Sequence, residues 1–377
     1  MTIETDRNQS FWESDIWPAE VDVLIVGGGI VGLHAALHLK SERKDLKILV
    51  VEEGWNQQGA STKNAGFVCL GSPSELLSDI RSRGEEECLR TLGMRFRGTE
   101  YLREQSKQYD IGFRDESGFE IFGKSDSEKF EECADKLTYL NEVFEHATGI
   151  QNQFTIEDSP LPLRDLSGMI RCNYEGNIHP GKWIRNLHIK ALKEGINVLR
   201  GVRYADHKYQ DDSLLCNLSV GDVHTRRIIF ATNGYRDLAR PEVDLQRVKN
   251  QVYLTSEWPH ELPGTYHASQ GFIYFRKVGQ RILIGGARHL DSSTSLEYFN
   301  QEIEDYLMGF LHRHLPESSG LRITRKWIGY LGVGESKYPV ISKIGVGEYA
   351  AVRLGGMGVA IGAEVGKKVA QLCLEDE

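Results

Sequence analysis

At 377 residues and 42.6 kDa, with 40% hydrophobic residues, the chain is long enough for two domains and a large buried core. A net charge of −9 and a pI near 5.8 count against nucleic acid as the main partner, because phosphate backbones are bound through an excess of Lys and Arg; Arg226, Arg227 and the Arg322 to Lys326 segment read as solvated surface. No run approaches the roughly eighteen uninterrupted apolar residues of a membrane span, and Met1 to Ser10 show no basic segment followed by an apolar one, so a cytoplasmic location follows as the default.

In chain order, Phe11, Trp12, Ile16 and Trp17 predict a leader arm packed onto the body. Val21 to Val26 is a β-branched run fit for a buried parallel strand, and it ends in Gly27-Gly28-Gly29-Ile30-Val31-Gly32. A helix follows, with Leu33, Ala36, Leu37 and the Lys40 stem on one stripe, and Lys47 to Val51 forms a second apolar strand closing at Glu52. This is one βαβ unit with a GxGxxG turn. Gly27 permits the tight turn, Gly29 lets backbone approach a pyrophosphate, and Gly32 lets helix and sheet pack closely. The helix N-terminus offers unpaired NH groups and partial positive charge to phosphates, and Glu52 can accept from ribose hydroxyls. Strand, helix and acid agree, so the unit is read as a dinucleotide site.

Gly59 to Phe67 (Gly-Ala-Ser-Thr-Lys-Asn-Ala-Gly-Phe) is too irregular for a strand and suits a loop that donates backbone NH groups to a bound ring. Leu76 to Tyr109 and Ser127 to Glu145 read as helical, with a strand at Gly118 to Phe122 between them. Arg227 to Phe230 reads as a strand ending in Ala231-Thr232-Asn233-Gly234-Tyr235. Asn250 to Ser256, Gly271 to Arg276 and Arg281 to Gly286 follow as strands of an antiparallel sheet, the last two joined at Val278-Gly279. Tyr349 to Leu354 is a strand ending in Gly355-Gly356-Met357-Gly358. Val359 to Leu372 is a helix whose Gly362 and Gly366 permit close packing. Six cysteines at wide intervals, without a CxxC pair, read as buried thiols. His34 and His38 stand four apart on a helix, but no further ligands recur nearby, so no metal is expected.

The GxGxxG with its acid, the GAS loop, the ATNG segment and the C-terminal glycine cluster occur in the order seen in the D-amino acid oxidase superfamily of flavoenzymes. The chain resembles that family from about residue 10 to the end, with the leader and GAS loop most like the gamma-glutamylputrescine oxidoreductases. The resemblance implies a two-domain α/β protein. A Rossmann-like FAD domain of glutathione-reductase type would take residues 1–83, 153–236 and 324–377. An antiparallel-sheet substrate domain would take 84–152 and 237–323. It further implies FAD held by Gly27, Gly29, Ile30, Val31, Gly32, Glu52 and Glu53, by Ala60, Ser61, Thr62, Lys63, Asn64 and Ala65, by Tyr204, Ala231, Thr232 and Gly234, and by Gly356, Met357, Gly358, Val359 and Ala360. A helix beginning near Met357 would aim its positive end at the pyrimidine of the flavin.

For the family's reaction, hydride equivalents pass from the carbon beside nitrogen to flavin N5, so the protein supplies positioning and water exclusion. Gly329 to Ile341, the stretch matching the cysteine attachment site of sarcosine oxidases, contains no cysteine, which predicts noncovalent FAD. The family's carboxylate clamps are also missing. Ala360 stands where sarcosine oxidases carry a lysine, and Tyr330 and Leu331 follow Trp327-Ile328-Gly329 where glycine oxidase carries an arginine. Either the substrate lacks a carboxylate beside the reacting carbon, or another cation serves. Period two places Phe272, Tyr274 and Arg276 on one strand face as a pocket wall with a cationic end; Arg288 and Lys337 are further candidates, and Lys63 and Asn64 lie on the loop that approaches the flavin. The lysine that assists oxygen reduction in sarcosine oxidases has no equivalent at Leu283 or Ile284, so oxygen and another electron acceptor both remain open. The expectation is oxidation of a carbon-nitrogen bond in a small amine or amino acid, giving an imine. Its rivals are a hydroxy acid or other carbon-oxygen substrate, a modified tRNA base, and a flavin-binding scaffold without activity.

Overall fold

The computed structural model describes residues 10–12, 17–56, 58–158, 162–210, 212–235, 243–291 and 295–375. Strand Glu20–Val26 lies at the centre of the first sheet, where its buried Val23, Leu24 and Ile25 fit a strand covered on both faces. It pairs in parallel with Ile48–Glu52 on one side and Gly221–Asn233 on the other, and Asn197–Arg200 extends the parallel set beyond Ile48–Glu52. Strand Gly221–Asn233 changes partner along its length. Its first residues pair antiparallel with Ser213–Leu218, whereas Ile228 to Asn233 pair in parallel with Glu348–Val352. The sheet therefore forks at this strand, and the glycine-rich turns after Val26, Asn233 and Val352 leave from the same end of the parallel set.

Helix Ile30–Glu42 packs on this sheet and against the C-terminal helix Gly358–Glu375. Gly362 and Gly366 set the distance between the two helices. A Cβ on Gly362 would come within 2.7 Å of Ile30 Cγ2, and one on Gly366 within 2.6 Å of Val31 O. A third glycine acts likewise from helix Glu85–Gln108, where a Cβ on Gly98 would meet Ala360 O at 1.6 Å.

His34 lies inside this packing, 6% exposed, with Nδ1 at 2.7 Å from Ile30 O and its ring against Tyr101 and Trp183. Burial pushes its pKa down to about 4. The folded protein thus keeps His34 neutral down to about pH 4, while the unfolded chain protonates it near 6.5. Between those values the unfolded state binds more protons, so stability falls as pH drops from about 6.5 to about 4, by on the order of 3 kcal/mol from this residue. A His34→Gln variant should flatten that part of the curve of denaturant midpoint against pH; an unchanged slope would dissociate His34 from the acid sensitivity.

The second sheet runs in the order Ile323–Val333, Gln246–Glu257, Arg281–Gly286, Ile273–Val278, Thr265–Ala268, Gly118–Gly123, Leu166–Cys172, Phe154–Ile156. It is antiparallel except where Thr265–Ala268 meets Gly118–Gly123 in parallel, a departure from the uniformly antiparallel expectation. Its membership also departs from the expected boundaries. Phe154–Ile156, Leu166–Cys172 and Ile323–Val333 belong to this sheet by hydrogen bonding, although their positions in the chain assigned nearly all of them to the cofactor domain. The two expected long helices are each broken in two. Gly84, with φ of 85°, ends Pro73–Arg83 and begins Glu85–Gln108, and Lys136 separates Ser127–Asp135 from Leu137–Thr148. In the leader, Ile16 lies outside the described residues. Trp17 packs on the first sheet and donates Nε1 to Asp222 O at 3.2 Å, but Phe11 and Trp12 are exposed, so the packed arm is limited to Trp17. All six cysteines are buried, and none is in a disulfide among the described residues.

Candidate active site

A cavity of about 640 Å³ runs from the GxGxxG turn of the first sheet to the second sheet. One end is built by the βαβ unit. Gly27 adopts φ of 110° and lies so close to Ala231 that a Cβ would come within 2.5 Å of its carbonyl oxygen. Gly32 makes contact inside the turn, where a Cβ would fall 1.9 Å from Gly27 O. Helix Ile30–Glu42 has no side-chain cap from its own N-cap Gly29; the Ile30 NH donates instead to Ser61 Oγ at 2.9 Å, which brings the GAS loop against the helix start. Glu52 accepts from the NH of Gly28 and of Gly54, both at 3.0 Å. Its carboxylate retains acceptor capacity toward a ribose diol. Val202 and Tyr204 complete this end, together with Glu53.

The middle of the cavity is lined by the GAS loop, the ATNG segment and the C-terminal glycine cluster. Ala60–Lys63 forms one helical turn, closed by Asn64, whose Nδ2 donates to Ala60 O and Ser61 O and whose Oδ1 accepts from Gly66 NH. That side chain is committed to the loop, which removes Asn64 from the candidate substrate-handling groups. Lys63 lines the cavity and its ammonium makes no hydrogen bond or ion pair among the described residues, while its carbonyl accepts from Trp327 Nε1 at 2.9 Å. Gly356, Met357, Gly358 and Val359 bring the start of the C-terminal helix to the cavity, with no acid in its first turn to offset the positive end.

Four expected cofactor residues do not line the cavity. Gly32 and Gly234 act through backbone packing, Gly234 against Leu331 O; Thr62 Oγ1 donates to Gly59 O; Ala360 is 1% exposed beneath Gly98. The remaining expected positions Gly27, Gly29, Ile30, Val31, Glu52, Glu53, Ala60, Ser61, Lys63, Asn64, Ala65, Tyr204, Ala231, Thr232 and Gly356 to Val359 do line it.

At the far end, the second sheet supplies Asn250, His267, Phe272 and Tyr274, with Arg288 just beyond its strand Arg281–Gly286. Tyr274 stands opposite Gly285, where any Cβ would strike the phenol ring, so the glycine makes the space the ring occupies. Asn250 Nδ2 donates to the Tyr274 oxygen at 2.6 Å, and burial pushes the phenol pKa up to about 12, so Tyr274 keeps a proton to donate. Arg288 stacks on Phe272, with Cζ 4.7 Å from the ring centroid, and makes no hydrogen bond or ion pair among the described residues. Burial lowers its pKa.

The expected pocket wall is half realised. Phe272 and Tyr274 face the cavity, but Arg276 does not line it. It is 8% exposed, and its guanidinium donates to Ala65 O (2.8 Å), Asn177 Oδ1 (3.0 Å) and Ile178 O (3.2 Å). Arg276 is therefore a tie between the second sheet and the GAS loop, a role that strand periodicity does not distinguish from pocket lining. Lys337 does line the cavity, yet its Nζ is held at 2.8 Å by both Glu75 Oε1 and Asp79 Oδ2.

Sequence reasoning missed one wall altogether. Helix Pro73–Arg83 turns Glu75, Ser78, Asp79, Ser82 and Arg83 to the cavity, a helical spacing that the sequence carries, although the helix read there begins only at Leu76 and was given no part in the site. It also missed His267, whose strand Thr265–Ala268 carries no distinctive pattern. His267 Nε2 lies 3.8 Å from the fully buried Glu175 Oε2; burial alone would lower the imidazole pKa, and Cys69 and Glu175 outweigh it to raise the pKa well above the usual histidine range.

A glycine turn at a helix start, an acid on the next strand, and a cavity that continues from there onto a roofing sheet form a dinucleotide site of the kind FAD-dependent oxidoreductases carry. The chain belongs to that family: residues 22–372 match the FAD dependent oxidoreductases (DAO). Gamma-glutamylputrescine oxidoreductase from Escherichia coli (strain K12) is similar, 26% identical over 375 residues that cover 94% of this chain and 84% of the relative. L-proline dehydrogenase from P. horikoshii shares the fold with a TM-score of 0.76 at 16% identity, covering 96% of this chain and 95% of that one. Glycine oxidase from Geobacillus kaustophilus does so with a TM-score of 0.74 at 19% identity, covering 95% and 96%.

Proposed function

We propose that this enzyme binds FAD noncovalently and oxidises the carbon-nitrogen bond of a small amine or amino acid to an imine. The residues fit the cofactor: the NH-rich helix start with Ser61 suits the pyrophosphate, Glu52 the ribose, and the GAS loop with the Gly356 to Val359 helix start the ring system. When bound, FAD supplies the two-electron acceptor for the hydride equivalent leaving the substrate carbon, while the nitrogen gives up a proton as the C–N bond becomes C=N. The protein's part is to hold that carbon in place and to keep water out.

Arg288 is the observation that carries the reading toward carboxylate-bearing amines. A guanidinium lining a cavity with its donors unspent is complementary to a carboxylate, which it can bind through two parallel hydrogen bonds. Tyr274 stands beside it with a proton to donate, and Asn250 fixes the phenol so that the proton points away from the amide. Arg288 thus takes the task of the carboxylate clamps that Tyr330, Leu331 and Ala360 have replaced.

The test is anaerobic titration of the flavin-loaded protein with amines, amino acids and hydroxy acids, followed by flavin absorbance. Bleaching by an amine or amino acid is expected. Arg288→Met should raise half-saturation for carboxylate-bearing amines by about a hundredfold, the loss of roughly 3 kcal/mol of charge-assisted hydrogen bonding. Reduction by hydroxy acids alone, or by nothing, would overturn the reading.

A further inference from the structure

Beside Tyr274 the cavity holds a buried acceptor that the protein leaves unpaired. Asn250 is 8% exposed; its Nδ2 is spent on the Tyr274 oxygen at 2.6 Å, and its Oδ1 is buried without a hydrogen bond among the described residues. A buried carbonyl oxygen without a donor is costly, and this residue lines the cavity, where a ligand can supply one. Glycines clear the space around it. Asn250 pairs with Gly329 in the neighbouring strand, and the first atoms beyond that glycine are Lys63 O and Cβ, 3.3 and 3.5 Å from where its Cβ would stand. On the other side Gly285 makes room for the Tyr274 ring. Asn250 thus lies where the second sheet meets the GAS loop, which the reading above assigns to the ring system. The uncommitted charge at this end of the cavity is positive, on Lys63 and Arg288. His267 stands directly opposite Tyr274 on the next strand; burial opposes a charge on its imidazole, but Cys69 and Glu175 outweigh it. The acids nearby are all engaged: Glu75 by Lys337 and Arg95, Asp79 by Lys337 and Arg83, Glu175 by His267, and Glu120 by the Ser74 NH.

We propose that Asn250 Oδ1 accepts an N–H of the reacting amine and holds that amine as its free base. The inference rests on the amine-oxidising reading above. A nitrogen has to carry a lone pair for its C–N bond to become C=N, so an ammonium does not react. A carboxylate acceptor would keep the nitrogen protonated through its charge. An amide oxygen orients the same N–H without that charge, and the cations Lys63 and Arg288 act against an ammonium held among them. Asn250 also completes a chain. The amine donates to Asn250 Oδ1, Asn250 Nδ2 donates to the Tyr274 oxygen, and the Tyr274 hydroxyl is left to donate to the carboxylate beside Arg288. Each hydrogen bond in such a chain polarises the next, so the amine and the carboxylate of one substrate are bound by a single connected set. Asn250 touches the reacting nitrogen but takes no proton from it.

Glycine, N-methylglycine and N,N-dimethylglycine separate the two protonation states, because their free bases carry two, one and no N–H, whereas each ammonium form carries at least one. With the flavin-loaded enzyme under anaerobic conditions, half-saturation for flavin reduction should rise by about tenfold from N-methylglycine to N,N-dimethylglycine, the worth of one hydrogen bond to a buried acceptor. Asn250→Ala should raise half-saturation for the first two compounds and abolish that step. Asn250→Asp should abolish it by binding all three as ammonium, and should raise the pH of half-maximal flavin reduction by about one unit or more, a shift that Asn250→Ala does not share. In the unmodified enzyme that midpoint should lie below the pKa of the free amine. A midpoint at or above it, or equal half-saturation for the two methylated amines, overturns the proposal even if the variants fail to hold flavin. A step that survives in Asn250→Ala, or an unmoved midpoint in Asn250→Asp, overturns it as well. Reduction by putrescine but by none of the glycine series would also do so, yet leave amine oxidation standing; absence of reduction by any amine removes both.

Discussion

Arg276→Met should yield a protein that unfolds at markedly lower denaturant concentration and retains little flavin. The guanidinium makes three hydrogen bonds to Ala65 O, Asn177 Oδ1 and Ile178 O from a site 8% exposed. Burial lowers its pKa to about 10, so it stays charged at neutral pH. Methionine fills a similar volume but leaves the two carbonyls without these donors, at about 1 to 3 kcal/mol for each buried group left unsatisfied. The loop from Gly59 to Gly66 then keeps only the Trp327 tie at Lys63 O to hold it to the second sheet, and FAD retention should fall with stability. Arg276→Lys keeps the charge with fewer, differently placed donors and should lie between. The measurement is a denaturant midpoint alongside the flavin-to-protein absorbance ratio. If Arg276→Met kept both and lost only turnover, Arg276 would return to the substrate site.

Gly32→Ala should abolish cofactor retention more completely than Gly29→Ala, although both lie in the same turn. A Cβ on Gly32 meets the Gly27 carbonyl at 1.9 Å and Ile25 Cγ2 at 3.2 Å; Gly27 is itself locked against Ala231 and cannot retreat. A Cβ on Gly29 meets only Ser61, at 2.7 Å from a hydroxyl on a rotatable bond. Overpacking of the first kind costs about 3 kcal/mol or more, roughly a hundredfold in FAD affinity if it falls on the bound state alone. Flavin titration of the two apoproteins decides the order. A Gly29→Ala defect equal to that of Gly32→Ala would mean that approach to the ligand, and not packing inside the turn, controls binding.

The cofactor half was legible in the sequence because its signals are local. Val21 to Val26, the glycines and Glu52 lie within one βαβ unit, and each residue type answers a backbone or charge requirement met inside that span. The same holds for Gly362 and Gly366. The substrate end was less legible because its residues meet only through long-range pairing. Tyr274 was found by period two, and Arg276 was misplaced by the same rule, since alternation gives the face of a strand and not what covers that face farther along. Leu166–Cys172 joined the second sheet by pairing with Gly118–Gly123, and Phe154–Ile156 by pairing with Leu166–Cys172, partners that no pattern in either segment names. Glu75 lies one residue ahead of the stretch read as helical, and nothing local marks it until Arg95 and Lys337 are seen around it.

The forked strand Gly221–Asn233 bears on the order in which the protein folds. Its parallel partners are drawn from residues 20 to 26 and 348 to 352, and the cavity between them is lined from Val26 to Val359. Contacts this distant in sequence form late, because the intervening chain must be confined before they return any stabilisation. The glycine turn after Val26 and the helix start at Gly358 are brought to one cavity only when strand Gly221–Asn233 has paired with both of these partners. The cavity is therefore completed late, by the pairing that closes the central sheet.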